Sequence, residues 1–281
     1  MSDLPNFRLT IAEVFADTSV DLCGPHQVKS GKKPLKVWVV LFVCLRVRAV
    51  YFDVVRSLEA QEFIDALQRF HALYPTVKRL ISDCGTNLIG ANNVFKKMLQ
   101  EWKDNSHHHL APRGITWEFI PPHAPHMGGA WERIVGVMKR TLQHLARTDM
   151  PFEKFRTAVC VAAGIVNRRP LTRTSIDSAD ASALTPSHFI LPARVVTPSS
   201  DALPSEPLSG SALRRSMDTL RPYVDGFWKR FKADYVSVLQ RRQKWINKSR
   251  NIQKGDLVLV IDELAPREHW PLAIVTDVHP G

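Results

Sequence analysis

The sequence has few cysteines, and they are scattered. Its four cysteines, Cys23, Cys44, Cys84 and Cys160, form no C-x-x-C pair and follow no regular spacing. This arrangement disfavours both a structural zinc site and a disulfide framework. Because free cysteine is among the most buried residue types, we expect mostly buried thiols.

Long apolar runs are also absent. The longest, Val37 to Leu45, has nine residues, whereas a membrane-spanning helix needs about 20. The N-terminal residues lack the basic-then-apolar pattern of a signal peptide, which favours a reducing intracellular compartment. With 44% hydrophobic and 23% charged residues among 281, the composition indicates a globular protein of one large or two modest domains.

Positive charge is concentrated in one segment. The chain has 38 Lys and Arg against 27 Asp and Glu, a formal net charge of +11. Residues 214–254, the basic segment, hold 12 of the basic residues and three acids, so this segment carries +9 and the rest of the chain +2. Such segregation favours a polyanionic partner, most commonly nucleic acid. A solvated helix face is the alternative.

Aromatic residues in the basic segment recur at helical spacing. Phe227, Phe231, Tyr235 and Val238 predict one stripe of a helix. Aromatic residues in such a stripe more often pack against the protein than stack on bases, and the basic residues then occupy the other face.

Hydrophobic periodicity predicts an α/β domain in the first part of the chain. Residues 14–55 are typical of strands, with turns at Gly24-Pro25 and at residues 29–34. A helix capped by Ser57 and ending before Pro75 follows. The remaining predicted elements are a strand at 77–83, a helix at 93–102, a strand at 115–120 and helices at 129–146 and 152–167.

These patterns divide the chain into five parts. We expect an extended leader at 1–14, an α/β core at 15–196 and a Ser/Pro-rich linker at 197–213. The basic helical segment at 214–254 follows, and then two predicted strands at 255–281 that look like the start of a truncated β-domain. Its two predicted strands are too few for an independently stable sheet.

Three acids fall at positions that favour a metal site. Asp21 lies in the first strand, Asp83 at the end of a later strand, where α/β sheets bind ligands, and Glu132 near the start of a long helix. Converging carboxylates suit Mg²⁺ or Mn²⁺, and two such ions about 4 Å apart support phosphodiester chemistry. The alternatives are turn-forming roles for the two aspartates and a helix-dipole role for Glu132.

The segments around these acids carry a family resemblance. Val20-Asp-Leu-Cys-Gly-Pro, Ser82-Asp-Cys-Gly-Thr-Asn-Leu-Ile-Gly-Ala and Pro121-Pro-His-Ala-Pro-His-Met-Gly-Gly-Ala-Trp-Glu resemble, in order, the catalytic blocks of retroviral and retrotransposon integrases. The resemblance is greatest to the BEL/Pao class of long-terminal-repeat retrotransposons. It extends through Asn167-Arg-Arg-Pro-Leu-Thr, Ala183-Leu-Thr-Pro-Ser-His-Phe, Gly255-Asp-Leu-Val-Leu-Val and Trp270-Pro-Leu-Ala.

The resemblance implies a ribonuclease-H-like core, a mixed sheet flanked by helices, in which Asp21, Asp83 and Glu132 form a D-D-E triad that holds two Mg²⁺ or Mn²⁺ ions. It also implies that residues 255–281 are the truncated start of a small SH3-like β-domain, a partial barrel. Such enzymes trim the 3′ ends of element DNA with water and then join the new 3′-hydroxyls to target DNA. Partners would be element and target DNA and further copies of the chain. The location would be the nucleus, after passage through the cytoplasm in particles.

Basic residues on the helix of Glu132 and in the basic segment are candidates for DNA binding. Lys139 lies seven residues after Glu132, two turns along the same helix face, and matches a position where integrases use lysine against element DNA. The other DNA-binding candidates are Arg140, Lys229, Arg230, Arg241, Arg242 and Lys244.

The sequence departs from the integrase pattern in several places. Gly136 replaces a frequent lysine, and Cys84 replaces a usual asparagine. The 49 positions from Asp83 to Glu132 exceed the retroviral interval, so we expect an inserted polar loop around His107–His109. No His/Cys zinc-binding domain precedes Asp21, as expected for a polyprotein fragment. Two rival hypotheses therefore remain: a catalytically silent DNA-binding remnant or host-adopted protein, and a ribonuclease H acting on RNA–DNA hybrids.

Overall fold

Two long strands with many β-branched residues begin the fold. The computed structural model describes residues 13–30, 33–82, 91–119, 132–143, 145, 150–173, 183–190, 211–239, 251–260, 262 and 270–278. Strands β1 (Asp17–Ser30) and β2 (Lys33–Cys44) pair antiparallel, and β2 pairs antiparallel with β3 (Val50–Val55). The last six residues of β2 are all buried, which is the pattern of a strand covered on both faces.

Two short strands complete a mixed sheet. Strand β4 (Arg79–Ser82) pairs parallel with β1, and β5 (Thr116–Phe119) pairs parallel with β4. The order across the sheet is β3-β2-β1-β4-β5. The predicted α/β architecture is thereby confirmed, and the mixed sheet is consistent with the ribonuclease-H-like core that the resemblance implies.

Helices pack on both faces of this sheet. The four are α1 (Ala60–Leu73), α2 (Ala91–Leu110), α3 (Glu132–Gln143) and α4 (Phe152–Asn167), and a short 3₁₀ turn at Ala111–Arg113 follows α2. On one face, Phe70 of α1 stacks on Phe42 of β2 at 4.2 Å, and Phe63 stacks on Trp102 of α2 at 4.3 Å. Helix α3 packs against β1. Among the described residues, no helix is both long and apolar enough to cross a bilayer.

The turn predicted at Gly24-Pro25 is wrong, whereas the connection predicted at residues 29–34 does join β1 to β2 but is shorter than expected. Gly24-Pro25 lies inside β1 as a bulge, because two residues of β1 there face a single residue of β2, Trp38. Gly24 has a φ of +141°, and a Cβ at this position would lie 2.8 Å from Cδ1 of Trp38. A glycine is therefore required by both conformation and space. Residues 29 and 30 belong to β1 and residues 33 and 34 to β2, so much of the predicted second turn is strand.

Helix α2 extends through the predicted polar loop. His107 and His108 are exposed in the last turn of this helix. Trp102, Ser106 and Leu110 are buried at intervals of four residues, and this stripe attaches the histidine-rich part to the core. The cap prediction at Ser57 is also wrong. Helix α1 begins at Ala60, so its N-cap residue is Glu59. The Ser57 hydroxyl accepts a hydrogen bond from the Glu59 amide.

The prediction that the cysteines are buried holds for two of the three described cysteines. Cys23 and Cys44 are buried, whereas Cys160 is exposed. Cys160 follows the buried residues Ala158 and Val159 of α4, and the next position along a helix points away from that face. Cys84 lies outside the described residues.

The chain divides into two compact units, Met1–Gly164 and Ile165–Gly281, and α4 runs across the division. In the second unit, β6 (Thr172–Arg173) pairs antiparallel with β7 (Ala183–Leu184), and α5 (Pro186–Ile190) follows. Helix α6 (Ser211–Leu239) covers the first part of the basic segment. Strands β8 (Leu257–Leu259) and β9 (Leu272–Ile274) then pair antiparallel. The domain bounds expected from the sequence remain predictions.

The aromatic stripe of α6 is a packing face, as predicted. Phe227, Phe231 and Tyr235 are buried, and their rings follow one another at 5.9 and 5.7 Å. The Tyr235 hydroxyl donates to the carbonyl of Pro170 at 2.6 Å. Trp270 meets the ring of Trp228 edge-on at 4.9 Å. The stripe therefore holds α6 to other parts of its own unit and is not available for stacking on bases.

Candidate active site

Asp21 lies on β1, on the sheet face opposite α1. Its neighbour Val20 pairs with Phe42, whose ring stacks on Phe70 of α1. Because successive side chains of a strand point to opposite faces, Asp21 points the other way, towards α3. Its side chain is 35% exposed, so solvent and ligands reach the carboxylate.

Lys139 of α3 binds this carboxylate. Its Nζ lies 2.7 Å from Oδ1 and 2.7 Å from Oδ2 of Asp21. The backbone amide of Leu22 donates a further hydrogen bond to Oδ1 at 2.7 Å. The Lys139 side chain is 36% exposed. Sequence analysis assigned Lys139 to DNA and did not foresee this ion pair.

Cys23 links β1 to the backbone of α3. Its thiol Sγ donates to the carbonyl of Lys139 at 3.7 Å. Burial raises the pKa of the Cys23 thiol to about 12, an effect that the nearby Lys139 ammonium partly opposes. The thiol therefore stays protonated at neutral pH and remains a hydrogen-bond donor.

The end of β4 lies beside the Asp21 segment of β1, and a hydrogen bond from β5 holds it in place. Ser82, the last residue of β4, pairs with Val20, the residue before Asp21. Its side chain is buried, and its hydroxyl accepts a 2.8 Å hydrogen bond from the indole Nε1 of Trp117 on β5. Asp83 follows Ser82 in the sequence but lies outside the described residues.

Glu132 is the first residue of α3, and its side chain lies outside what the structure describes. Lys139 is two turns further along, so positions 132 and 139 share one helix face. The Lys139 contact with Asp21 shows that this face is turned towards β1 at its C-terminal end. Arg140, the next residue, is exposed.

Two other acids of the sheet are paired with arginine. Asp17, four residues before Asp21 on the same strand, binds Arg46 at 3.3 Å and Arg79 at 2.9 Å. Asp53 is buried and binds Arg69 at 2.6 Å. Since the guanidinium is always charged and forms a rigid fork, these carboxylates have structural roles. Asp21 differs, because its cation is a flexible lysine at an accessible position.

The donor set at Asp21 suits a hard divalent cation. Carboxylate oxygens are the protein ligands that Mg²⁺ and Mn²⁺ prefer, and both oxygens of Asp21 already face a positive charge. The end of β4 and helix α3 lie on either side of this carboxylate. Among the described side chains, no three His, Cys, Asp or Glu form a metal-binding group, and two members of the predicted triad are not among those side chains.

The basic candidates on α6 lie on its exposed side. Lys229 and Arg230 are exposed, while Phe227 and Phe231 are buried on the opposite side. Lys232 instead contacts another part of its own unit, because its Nζ donates a 2.7 Å hydrogen bond to the carbonyl of Asp262. The remaining candidates, Arg241, Arg242 and Lys244, lie outside the described residues.

Three residues near the site escaped the sequence analysis: Cys23, Ser82 and Trp117. Cys23 and Ser82 stand inside the motifs that carry the resemblance, but their partners are distant in the chain. Trp117 is 35 residues from Ser82. The sequence signal for Trp117 is strand alternation, which places it on the face of β5 opposite that of Thr116 and Glu118.

Comparison with known proteins gives a limited result. Residues 215–281 match the family of unknown function DUF5641. No curated protein matches the chain. Among solved structures, a chain of the cryoEM structure of the simian T-cell lymphotropic virus intasome in complex with PP2A regulatory subunit B56 gamma has 17% sequence identity and a TM-score of 0.43. The likeness covers 71% of this chain and 59% of that chain. At this TM-score a likeness does not by itself establish a shared fold.

Proposed function

We propose that the chain is an integrase-type polynucleotidyl transferase of a BEL/Pao-like retrotransposon, which processes the 3′ ends of element DNA and joins them to target DNA. The observation that carries the proposal is the pairing of Ser82 with Val20. It brings the ends of two motif-bearing segments together, although they are about 60 residues apart in the chain. Asp21 follows one of the paired residues, and Asp83 follows the other.

Strand alternation supports the choice of Asp83 as the second ligand. The Ser82 hydroxyl is held by Trp117 on the sheet face that carries α1. If β4 continued by one residue, the next side chain would point to the face of Asp21. Glu132, at the start of the helix that packs on β1, is the proposed third member.

Asp21, Asp83 and Glu132 would hold two Mg²⁺ or Mn²⁺ ions, which supply an activated hydroxyl and stabilise the leaving oxygen. The protein's own contribution is to fix the carboxylates. Leu22 orients Asp21 through its amide, Trp117 fixes Ser82 beside the second aspartate, and Cys23 ties the α3 backbone to β1. No acyl or phosphoryl intermediate on the protein is part of this mechanism.

DNA contacts are proposed for Lys139 and Arg140 near the site and for the exposed side of α6. Lys229 and Arg230 are directed to solvent there, and Arg241, Arg242 and Lys244 extend the same charge along the sequence. The proposal includes assembly with other copies of the chain on DNA, and action in the nucleus.

A nuclease and strand-transfer assay tests the proposal. Purified protein is incubated with duplex DNA, labelled at the 5′ end of the strand to be joined, and a supercoiled plasmid in Mn²⁺, and we expect trimming of the labelled strand and its joining to the plasmid. Both activities should be lost in Asp21→Asn, Asp83→Asn and Glu132→Gln. The matched control is Asp104→Asn, an exposed acid of α2, which should leave both activities intact.

The rival hypotheses give different results in the same assay. DNA binding in wild type without any metal-dependent cleavage or joining would support the silent DNA-binding remnant. Cleavage confined to the RNA strand of an added RNA–DNA hybrid would support a ribonuclease H. Activity that survives in Asp83→Asn would contradict the proposed triad.

A further inference from the structure

The ammonium group of Lys139 lies where a cation would approach Asp21. Nζ is 2.7 Å from both carboxylate oxygens, so it occupies the position between them. Mg²⁺ binds oxygen at about 2.0–2.1 Å. A divalent ion on these oxygens and the Lys139 ammonium cannot share the position, because the space is the same and both carry positive charge.

The backbone and the side chain of Lys139 are held differently. The carbonyl of Lys139 accepts a hydrogen bond from the buried Cys23 thiol, which fixes the helix against β1. The side chain is held by its ion pair with Asp21, in which the two side chains are 36% and 35% exposed. Ion pairs of this exposure are weak. The side chain can therefore leave Asp21 without any movement of α3.

We propose that Lys139 is a metal-responsive positioning residue. In the metal-free protein it pairs with Asp21, and when a divalent ion takes the carboxylate its ammonium transfers to a phosphate of bound DNA. This inference rests on the proposed function. It also implies that the metal and DNA affect each other's binding. The metal raises the affinity for DNA by freeing Lys139, and bound DNA that holds Lys139 raises the affinity for the metal by the same factor.

Metal binding in the absence of DNA is the first test. Mn²⁺ titration followed by electron paramagnetic resonance gives the dissociation constant for wild type and Lys139→Met. We expect Lys139→Met to bind Mn²⁺ more tightly by roughly two- to fivefold, the factor expected from loss of a partly exposed ion pair. Unchanged or weaker binding would overturn the inference. Thermal melting verifies that the variant is folded, and Lys139→Gln replaces it if it is not.

Two control variants separate direct competition from a general charge effect. Arg133→Met removes a positive charge from an exposed position of the same helix and leaves the Asp21 pair in place, so its effect on Mn²⁺ affinity should be smaller. Lys139→Arg keeps a cation at the position and should bind Mn²⁺ no more tightly than wild type. Equal tightening by Lys139→Met and Arg133→Met would overturn the inference.

The salt dependence of DNA binding is the second test. Each phosphate contact contributes about 0.9 to the slope of log affinity against log salt. With Ca²⁺ present, Lys139→Met should reduce this slope by about one contact. With chelator instead of Ca²⁺, the slopes of wild type and variant should agree. A reduction of equal size in both conditions would contradict a transfer that depends on the metal.

The outcomes distinguish this inference from the proposed function. If no variant, including wild type, binds Mn²⁺, the proposed metal site fails and the inference fails with it. If wild type binds Mn²⁺ through Asp21 and Lys139→Met changes nothing, the metal site stands and the role of Lys139 is rejected.

Discussion

Two aspartates on one strand show how a partner decides a carboxylate's role. Asp17 is fixed by two arginines, while Asp21 is bound by a single, partly exposed lysine. An arginine fork would compete strongly with any added cation, whereas a lysine on a flexible stem competes weakly. The same residue type, four positions apart, is therefore structural in one case and accessible for chemistry in the other.

His26 should make the protein acid-sensitive. Burial lowers the pKa of His26 from 6.5 to about 4, so the folded state disfavours its protonation. Above pH 6.5 the residue is neutral in both states and has no effect. As pH falls from 6.5 to 4, the unfolded chain takes up a proton that the folded protein does not, and stability falls by about 3 kcal/mol over this window.

Urea unfolding at pH 7 and at pH 4 measures this effect. His26→Leu keeps an apolar group beside Phe155, whose ring lies 5.4 Å from that of His26. The variant should lose less stability on acidification than wild type. Equal losses in the two proteins would show that His26 is not responsible.

At the scale of elements, hydrophobic periodicity predicted the bounds of helices better than residue composition did. Helix α4 has the bounds that its apolar spacing predicts, residues 152–167. Helix α2 was predicted to end eight residues too early because its polar histidines favoured a loop, although Trp102, Ser106 and Leu110 keep a helical stripe. The bulge at Gly24 was taken for a turn, since glycine and proline mark both features and only the partner strand distinguishes them.

Gly136→Ala should stabilise α3. Glycine inside a helix is less favourable than alanine by about 0.8–1.0 kcal/mol. A Cβ at Gly136 would meet Nη1 of Arg140 at 3.5 Å, an ordinary contact with a flexible side chain. We expect a gain in unfolding free energy of up to about 1 kcal/mol, measured by urea denaturation. A loss of stability would show that this position needs a glycine for another reason.

Substitutions on the two sides of α6 should differ in their effect on stability. Phe231 is fully buried between Phe227 and Tyr235, so Phe231→Ala should cost about 3–5 kcal/mol. Lys229→Ala, on the exposed side, should change stability by less than about 0.5 kcal/mol. Thermal melting with both variants measures the difference. A comparable loss in Lys229→Ala would contradict the assignment of the two sides.

At the scale of the whole molecule, the order of the motifs bears on which strands are neighbours, and the membership of the site stays a prediction. The strand that carries Asp21 and the strand that precedes Asp83 are neighbours, as the resemblance implies. The pair between Lys139 and Asp21 could not be predicted, because its partners are 118 residues apart and each has a reasonable local role. Contacts of this kind depend on how α3 lies on β1, which periodicity does not specify.

Net charge leads to a prediction for the whole chain. DNA affinity should fall steeply with salt, since each neutralised phosphate releases counterions. The double variant Lys229→Ala, Arg230→Ala should reduce the slope of log affinity against log salt by about two contacts. Fluorescence anisotropy with labelled duplex DNA measures the slope. An unchanged slope would exclude this side of α6 from the DNA interface.

The bulge in β1 also changes which residues of this strand point to which side. Before it, the odd-numbered Cys23 contacts α3, and after it, the even-numbered His26 contacts Phe155 of α4. The extra residue reverses the parity of the strand, so a single strand supports two helices on one face. Deleting one residue at positions 24–25 would remove the bulge, and the later side chains of β1 would keep their faces and their partners on β2. The bulge therefore lets β1 carry one more residue than β2 over the same length without turning its side chains over.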